Sequence, residues 1–444
     1  MDHIVIIGNG ISGITAARHI RTRSDHKITV ISGETDHFFS RTALMYIYMG
    51  HMEYKHTKPY EDGFWVKNRI ELKRAWVSEV DFDKKQLSFK DGDAPLVYDK
   101  LVLALGSKPN MFGWPGQDLK GVQGMYSYQN LEYIEEYTKG ISRGVIVGGG
   151  LIGIELAEML HSRNIPTTFL VREKSFWNGV LPAEESAMIN REINNNHVAL
   201  RLGTELKEIV GDENGRVKAV VTGDGETIDC QFVGLTAGVA PNIGLVKDTA
   251  LEINRGIMVD EALATNIPDV FAIGDCAEFR TPNGQRRPLE QVWYTGRMMG
   301  ETVARTLTGD KTSYRPGIWF NSAKFFDIEY QTYGWVWAKD KENEQSFYWE
   351  DPKKGNKSLR IVFDKDSKQV LGCNAFGMRM RHEVWDKWIG DETQLKDVMQ
   401  NLDKAHFDPE FFRRYESDIQ YKYNQEFPQE TVTPRKKSLL EKIF

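Results

Sequence analysis

The sequence predicts an α/β fold with two nucleotide-binding halves, followed by a smaller α+β domain. Three observations predict it. Two glycine clusters occur in one chain, Gly8-Asn9-Gly10-Ile11-Ser12-Gly13 and Gly148-Gly149-Gly150-Leu151-Ile152-Gly153. Each follows a short apolar run and opens a helical pattern. From Tyr314 onward the composition becomes aromatic-rich and the pattern changes.

His3-Ile4-Val5-Ile6-Ile7 is apolar on both faces and reads as a buried parallel strand. The helical pattern Ile14 to Ile20 follows the first glycines. Between strand and helix, such glycines allow a tight turn and close backbone approach to a pyrophosphate at the helix N-terminus. Lys27-Ile28-Thr29-Val30-Ile31 is the second strand, followed by Ser32-Gly33-Glu34. An acid about 20 residues past the glycines commonly bonds a ribose. Glu34 is the nearest candidate and Asp36 the alternative. Leu101-Val102-Leu103-Ala104-Leu105-Gly106 reads as another buried strand, and Ser107-Lys108-Pro109 with Trp114-Pro115-Gly116 as a turn-rich hinge.

The pattern then repeats. Val145-Ile146-Val147 precedes the second glycines and the helical pattern Ile154 to Leu160 follows. Two such units predict two Rossmann-like dinucleotide-binding domains of three-layer ββα form, and hence two bound dinucleotides. A flavin and a nicotinamide dinucleotide are the natural pair. Gly238-Val239-Ala240-Pro241-Asn242 marks a second crossover, Val270 to Asp275 a strand ending in a glycine and an acid, and Val292 to Leu307 a helix closed by Gly309.

Beyond Tyr314, Trp319, Phe320, Phe325, Phe326, Tyr330, Tyr333, Trp335 and Trp337 crowd a short span and read as sheet core plus interface. Ser358 to Phe363 and Gln369 to Cys373 flank a polar turn and read as a hairpin. Helical patterns resume near Glu383. Residues 314–425 are expected as a C-terminal α+β domain and 426–444 as a mobile tail.

At 444 residues more than one domain is expected. A net charge of −6 gives no reason to expect nucleic acid as a partner. The first strand begins at His3, which leaves no room for a signal peptide, and no apolar run is long enough to span a bilayer. Cys230, Cys276 and Cys373 are widely spaced. That suits a reducing, cytoplasmic setting, and no metal site is evident. Cys276 and Cys373 are each expected as a buried small hydrophobe.

In combination, these motifs resemble the FAD-dependent pyridine nucleotide-disulphide oxidoreductase superfamily. The likeness is greatest to the ferredoxin and rubredoxin reductase and apoptosis-inducing factor-like branch. It covers residues 1 to about 315 and rests on Gly8–Gly13, Phe39-Ser40-Arg41-Thr42-Ala43-Leu44, Ala104 to Pro109, Gly148–Gly153 with Glu155, Gly238–Asn242, and Thr265 to Asp275. The resemblance implies a split FAD domain, 1–113 plus 238–313, around an inserted NAD(P)H domain, 114–237. It implies FAD contacts at Gly8, Gly10, Ser12, Gly13, Glu34, Arg41, Ala104, Gly106, Gly238, Gly274, Asp275, Gln291, Val292 and Trp293. Asp275 would bond the ribityl chain. NAD(P)H contacts are implied at Gly148, Gly150, Leu151, Ile152, Gly153 and Arg172, with Glu155 as the catalytic residue that orients the nicotinamide.

Two departures bear on the chemistry. Disulphide reductases of this superfamily carry redox cysteines after the Glu34 region, where this chain has Arg41-Thr42-Ala43-Leu44-Met45-Tyr46. A covalent disulphide relay is therefore not expected. Tyr46 also stands where the ferredoxin reductase branch places a lysine close to the flavin.

The implied activity is hydride transfer from nicotinamide C4 to flavin N5, with electrons then passed to a separate acceptor, a ferredoxin- or rubredoxin-like iron–sulfur protein. Coenzyme choice turns on Val171, Arg172, Glu173 and Lys174. An arginine there can pair with a 2′-phosphate, which points to NADPH with NADH also accepted. The same residues also read as a solvated charge cluster. Glu155 also reads as a first-turn acid on the helix dipole. Arg379, Arg381 and His382 read as a solvated helix start or as a dock for an acidic partner. Alternatives to the electron-transfer reductase are a peripheral membrane NADH:quinone reductase and a redox-gated interaction protein. Membrane contact through the tail is not expected, and a homodimer is compatible with the sequence.

Overall fold

The computed structural model describes residues 1–407 and 413–434. By its internal contacts the chain divides into two compact units. The first comprises Met1–Val147, Ser162–Ile165 and Leu206–Pro316, the second Gly148–His161, Pro166–Glu205 and Gly317–Phe444.

The first unit is organised on a five-stranded sheet in the order Val270–Ala272, Lys100–Leu103, His3–Ile7, Lys27–Ser32, Ile70–Arg74. All four pairings are parallel. Ile4, Val5, Ile6, Leu101, Val102 and Leu103 have no exposed surface, as expected of strands covered on both faces. His3–Ile7 is flanked by an earlier-wound and a later-wound neighbour, so the winding reverses beside it. Crevices at the carboxyl ends of strands at such a reversal are where this architecture binds ligands. The expected strand 101–106 stops at Leu103: Ala104 N–H makes the last ladder bond, to Ile7 O, and Gly106 then turns the chain at φ 69°. The strand after Thr265 stops at Ala272, and Gly274–Cys276 forms one 3-10 turn.

Helices Ile11–Arg23 and Trp293–Leu307 pack closely in this unit. A Cβ at Gly300 would lie 2.5 Å from Ser12 O. A smaller parallel set joins Gly144–Val147, Phe232–Leu235 and Val122–Gln123, beside an antiparallel sheet of Leu206–Gly211, Val217–Thr222 and Thr227–Asp229.

In the second unit, helix Leu151–Ser162 leads to the parallel strands Thr167–Val171 and Ala199–Leu202, with helix Ala183–Asn195 between them in sequence. The C-terminal part is a five-stranded antiparallel sheet, in the order Phe320–Phe325, Ile328–Gly334, Val370–Phe376, Ser358–Asp364, Glu344–Glu350. The expected hairpin is present. Asp364 Oδ1 accepts the N–H groups of Asp366 and Ser367 and closes its turn.

A buried ionic cluster ties this sheet to helix Ala183–Asn195. Arg360 Nε donates to Glu185 Oε1 at 3.1 Å and Nη2 to Glu184 Oε2 at 2.7 Å, while Asn374 Nδ2 donates to Glu185 Oε2 at 2.8 Å. The aromatic run splits between core and surface. Phe325, Phe326, Tyr330 and Tyr333 are buried. Trp319, Trp335 and Trp337 are half-buried and stack nearly parallel at 5.4 and 5.1 Å, with Lys341 Nζ 4.5 Å from the Trp337 ring centre.

Helix His382–Gly390 begins near the expected place. The basic cluster at its start is neutralised locally, Arg379 by Glu329 and Arg381 by Glu383. The tail expected to be mobile is held over its described part. Val432 is buried and exchanges two 2.8 Å hydrogen bonds with the Asn424 side chain, and Thr433 N–H donates to Gln400 Oε1. The amphipathic stretch at 436–444 lies outside the described residues. Among the described residues no helix is long and apolar enough to cross a membrane.

Candidate functional site

The first glycine turn joins His3–Ile7 to helix Ile11–Arg23. Gly8 has φ 117°, and a Cβ there would lie 2.0 Å from Ala104 O. Only glycine satisfies both conditions. A Cβ at Gly13 would lie 2.0 Å from Gly8 O, so this glycine lets helix and turn close together. Gly10 differs, because no atom lies within 4 Å of a Cβ built there. It caps a helix that has no side-chain cap. The turn therefore presents backbone N–H groups and the positive helix end to open space, which fits a pyrophosphate.

Around this turn the structure gathers most of the residues expected for FAD. Gly274 lies against Ser12, with a built Cβ 2.5 Å from Ser12 Oγ. Asp275 Oδ2 accepts from Ser107 Oγ at 3.0 Å and from Tyr126 Oη at 3.2 Å, and Gln291 Nε2 donates to Ser107 Oγ at 2.7 Å. Burial pushes the Asp275 carboxyl up, and the bonds from Ser107 and Tyr126 and the Arg41 charge pull it back. Val292 is the N-cap of helix Trp293–Leu307, which also lacks a side-chain cap. Segment Val239–Pro241 after Gly238 pairs antiparallel with Ser107–Pro109, and Gly106 O accepts Asn242 N–H.

Glu34 is not poised alone for a ribose. Its carboxylate accepts both Nη atoms of Arg41 at 2.7 Å and Tyr128 N–H at 2.8 Å. Arg41 also donates to Tyr126 O at 2.7 Å, and its guanidinium carbon lies 4.5 Å from the Tyr126 ring centre. Tyr126 thus joins the Arg41–Glu34 pair to Asp275. Sequence reasoning missed it, along with Ser107 as a bonding partner and the Tyr128 N–H. Ser107 lay inside a recognised motif, whereas Tyr126 carries no local signal, because Asp275 is 149 positions away.

The second glycine turn stands in the second unit from Gly148 onward. Gly148 has the same φ of 117° as Gly8 and donates its N–H to Leu170 O at 3.0 Å. A Cβ at Gly149 would meet Val171 Cγ1 at 2.7 Å, whereas Gly150 faces open space. Leu151 and Ile152 begin the helix, Gly153 is buried within it, and Ile154 N–H donates to Gly150 O. The second turn thus repeats the φ and the open third position of the first, a shape that fits a second phosphate group.

Glu155 lies in the second turn of that helix. Burial, then the charge of Glu158, pushes its carboxyl up to about 7. Val171 is fully buried, while Arg172 is 71% exposed and pairs with Glu173 at 2.9 Å. No acid stands at the strand end to receive a ribose 2′-hydroxyl.

The three cysteines are free and buried. Cys276 Sγ lies 3.4 Å from both Leu103 O and Ile273 O, and burial pushes its thiol up to about 12. Burial does the same at Cys230 and raises Cys373 well above its usual value. None supplies a thiolate near neutral pH.

Residues 2–300 match the family described as pyridine nucleotide-disulphide oxidoreductase. The chain is 28% identical over 280 residues to the nitrite reductase [NAD(P)H] of Bacillus subtilis, covering 62% of this chain and 34% of that protein. The chain thus spans about a third of the length of that relative. It is 27% identical over 314 residues to the ferredoxin–NAD(+) reductase subunit of a benzene 1,2-dioxygenase system from Pseudomonas putida, covering 70% and 76% of the two chains. Among solved structures, a ferredoxin reductase from Rhodopseudomonas palustris superposes with a TM-score of 0.77 at 22% identity, over 85% of this chain and 91% of that one. With two glycine cradles in the expected strand–turn–helix setting and a family match over most of its length, the chain belongs to the pyridine nucleotide-disulphide oxidoreductases, and is an oxidoreductase that uses FAD and NAD(P)H.

Proposed function

We propose that the protein is an electron-transfer reductase that takes hydride from NAD(P)H and delivers electrons to a separate small iron–sulfur protein, with no thiol in the path. The observation that carries this reading is the bonded set Asp275, Ser107, Tyr126 and Gln291 at an uncapped helix start, in a chain whose cysteines are all buried thiols.

In this reading residues 1–113 and 238–313 hold FAD and residues 114–237 hold the nicotinamide coenzyme. Gly8, Gly10 and Gly13 leave room for the pyrophosphate beside Ser12, and Asp275 takes a ribityl hydroxyl. The uncapped start of helix Trp293–Leu307 would offer its positive dipole end to the flavin and there favour added negative charge. Bound FAD supplies hydride acceptance and the release of electrons singly or in pairs. The chain's own residues bind, orient and exclude water. Gly148 to Gly153 cradle the coenzyme phosphates, Glu155 orients the nicotinamide carboxamide, and Arg172 turns from Glu173 to a 2′-phosphate.

The ferredoxin- and rubredoxin-linked names among the relatives support an iron–sulfur acceptor. Anaerobic stopped-flow tests the reading. The FAD-loaded protein is reduced with NADH or NADPH and then mixed with ferredoxin, rubredoxin, a soluble quinone or oxygen. Reoxidation fastest with an iron–sulfur protein supports it, and reoxidation faster with quinone or oxygen overturns it.

A further inference from the structure

Helix Leu151–Ser162 carries two acids three residues apart, Glu155 and Glu158, a spacing that places them on one face. Glu158 has a cationic partner from a distant part of the chain. Lys324 Nζ, on strand Phe320–Phe325, lies 2.7 Å from Glu158 Oε1. The Glu158 side chain is 12% exposed and that of Lys324 37%, so water screens the pair only in part. Lys324 also lies beyond the family match, which ends at residue 300.

Among the described residues, Lys324 also faces Glu329 across the strand pair, and Glu329 is itself bonded by Arg379. Glu158 is on the helix itself and Lys324 comes from the sheet. His161, a turn further on, meets the edge of Phe326 at 5.9 Å. Asp327 follows in the same sheet turn, its N–H 3.4 Å from Glu192 Oε1 on helix Ala183–Asn195. Of these, Glu158 is the charge that acts on Glu155, and it acts to keep the Glu155 proton on.

We propose that Lys324 is a positioning residue for the nicotinamide site: by holding Glu158 it sets how much of that negative charge reaches Glu155, and so fixes the protonation of Glu155. The proposal rests on the reading of Glu155 as the residue that orients the nicotinamide. Removing the ammonium leaves the Glu158 charge unopposed and raises the proton affinity of Glu155. Removing the Glu158 carboxylate has the reverse effect. The C-terminal sheet thereby contributes a charge to chemistry carried by the second glycine turn. A purely structural cross-brace would leave the titration of Glu155 unmoved.

The test uses the full-length, FAD-loaded chain without coenzyme, labelled with 13Cδ-glutamate. The Glu155 resonance is assigned by its loss in Glu155→Gln. In Lys324→Met its titration midpoint is expected to rise by about half to one pH unit, and Lys324→Arg to restore it. In Glu158→Gln the midpoint is expected to fall by a similar amount. An unmoved midpoint in Lys324→Met overturns the proposal, whatever Glu158→Gln does. If Lys324→Met fails to fold, Lys324→Gln takes its place, with the same outcomes. The pH profile of flavin reduction by NADPH separates the two readings. If the resonance shifts but the rate profile does not follow it, the Lys324 relationship stands and the role of Glu155 falls.

Discussion

Arg41 and Glu34 meet through two hydrogen bonds of 2.7 Å, Nη1 to Oε1 and Nη2 to Oε2. The two-armed geometry fixes the guanidinium plane, and the same carboxylate anchors the start of helix Tyr128–Tyr137 through Tyr128 N–H. Their side chains are 28% and 16% exposed, between the surface and buried cases. Arg41→Met is therefore expected to cost about 1–3 kcal/mol in urea unfolding. Arg41→Lys should recover only part of that, because an ammonium cannot form the two parallel bonds.

Asp275 is expected to control flavin retention. Asp275→Ala should raise the FAD dissociation constant at least about tenfold, equivalent to one charged hydrogen bond. Tyr126→Phe removes one donor to the same oxygen and should raise it about two- to fivefold, within the range of a single neutral bond. Fluorescence of released flavin on dilution measures both. Equal retention in wild type and Asp275→Ala would exclude the ribityl role.

Cys276 should be dispensable for turnover. It has no exposed surface and its thiol stays protonated near neutral pH. Cys276→Ala should hold kcat within about twofold while costing about 1 kcal/mol from lost packing. A large loss of kcat in a folded variant would restore a thiol mechanism.

Glu185 gives a pH prediction. It has no exposed surface, and burial pushes its carboxyl up to about 7 against the pull of Arg360 and Asn374. In the unfolded chain the group ionises near about 4.3. Between those values the unfolded chain has lost a proton that the fold still holds. The stabilisation is thus fully present below the lower value and is lost as pH rises through about 7. Glu185→Gln mimics the neutral acid. The Tm of the wild type minus that of the variant should fall from pH 5 to about pH 7 and level off above it in scanning calorimetry. A flat difference would show the group ionised throughout.

Arg172 should decide between coenzymes. Its guanidinium is well exposed and pairs, among the described residues, with its neighbour Glu173. Arg172→Ala should raise KM for NADPH about fivefold or more and leave KM for NADH nearly unchanged, since a 2′-phosphate pairs with arginine through charge-assisted bonds. Parallel effects on both coenzymes would mean that the residue is only a solvated surface charge.

Both glycine cradles were legible in the sequence, because turn, strand and helix signals lie within a few residues of one another. Gly8, Gly148 and the helices after them formed as expected. The hairpin around Asp364 was legible for the same local reason. The bonds around Asp275 were not, because Ser107 lies 168 positions from it and Tyr126 lies 149. Nothing local marks a tyrosine whose hydroxyl must reach a distant carboxylate. Glu34 was identified by spacing alone, and spacing cannot reveal that Arg41, only seven residues on, reaches back to it. The held tail was hidden likewise, since a polar stretch gives no sign that Asn424 will clasp Val432.

The parallel indoles of Trp319, Trp335 and Trp337 have an optical consequence. Indoles stacked about 5 Å apart in one fixed arrangement should contribute to the near-ultraviolet circular dichroism of the folded chain. Losing one ring would alter that contribution, which makes the C-terminal sheet its own built-in reporter of whether it keeps its shape while coenzyme comes and goes.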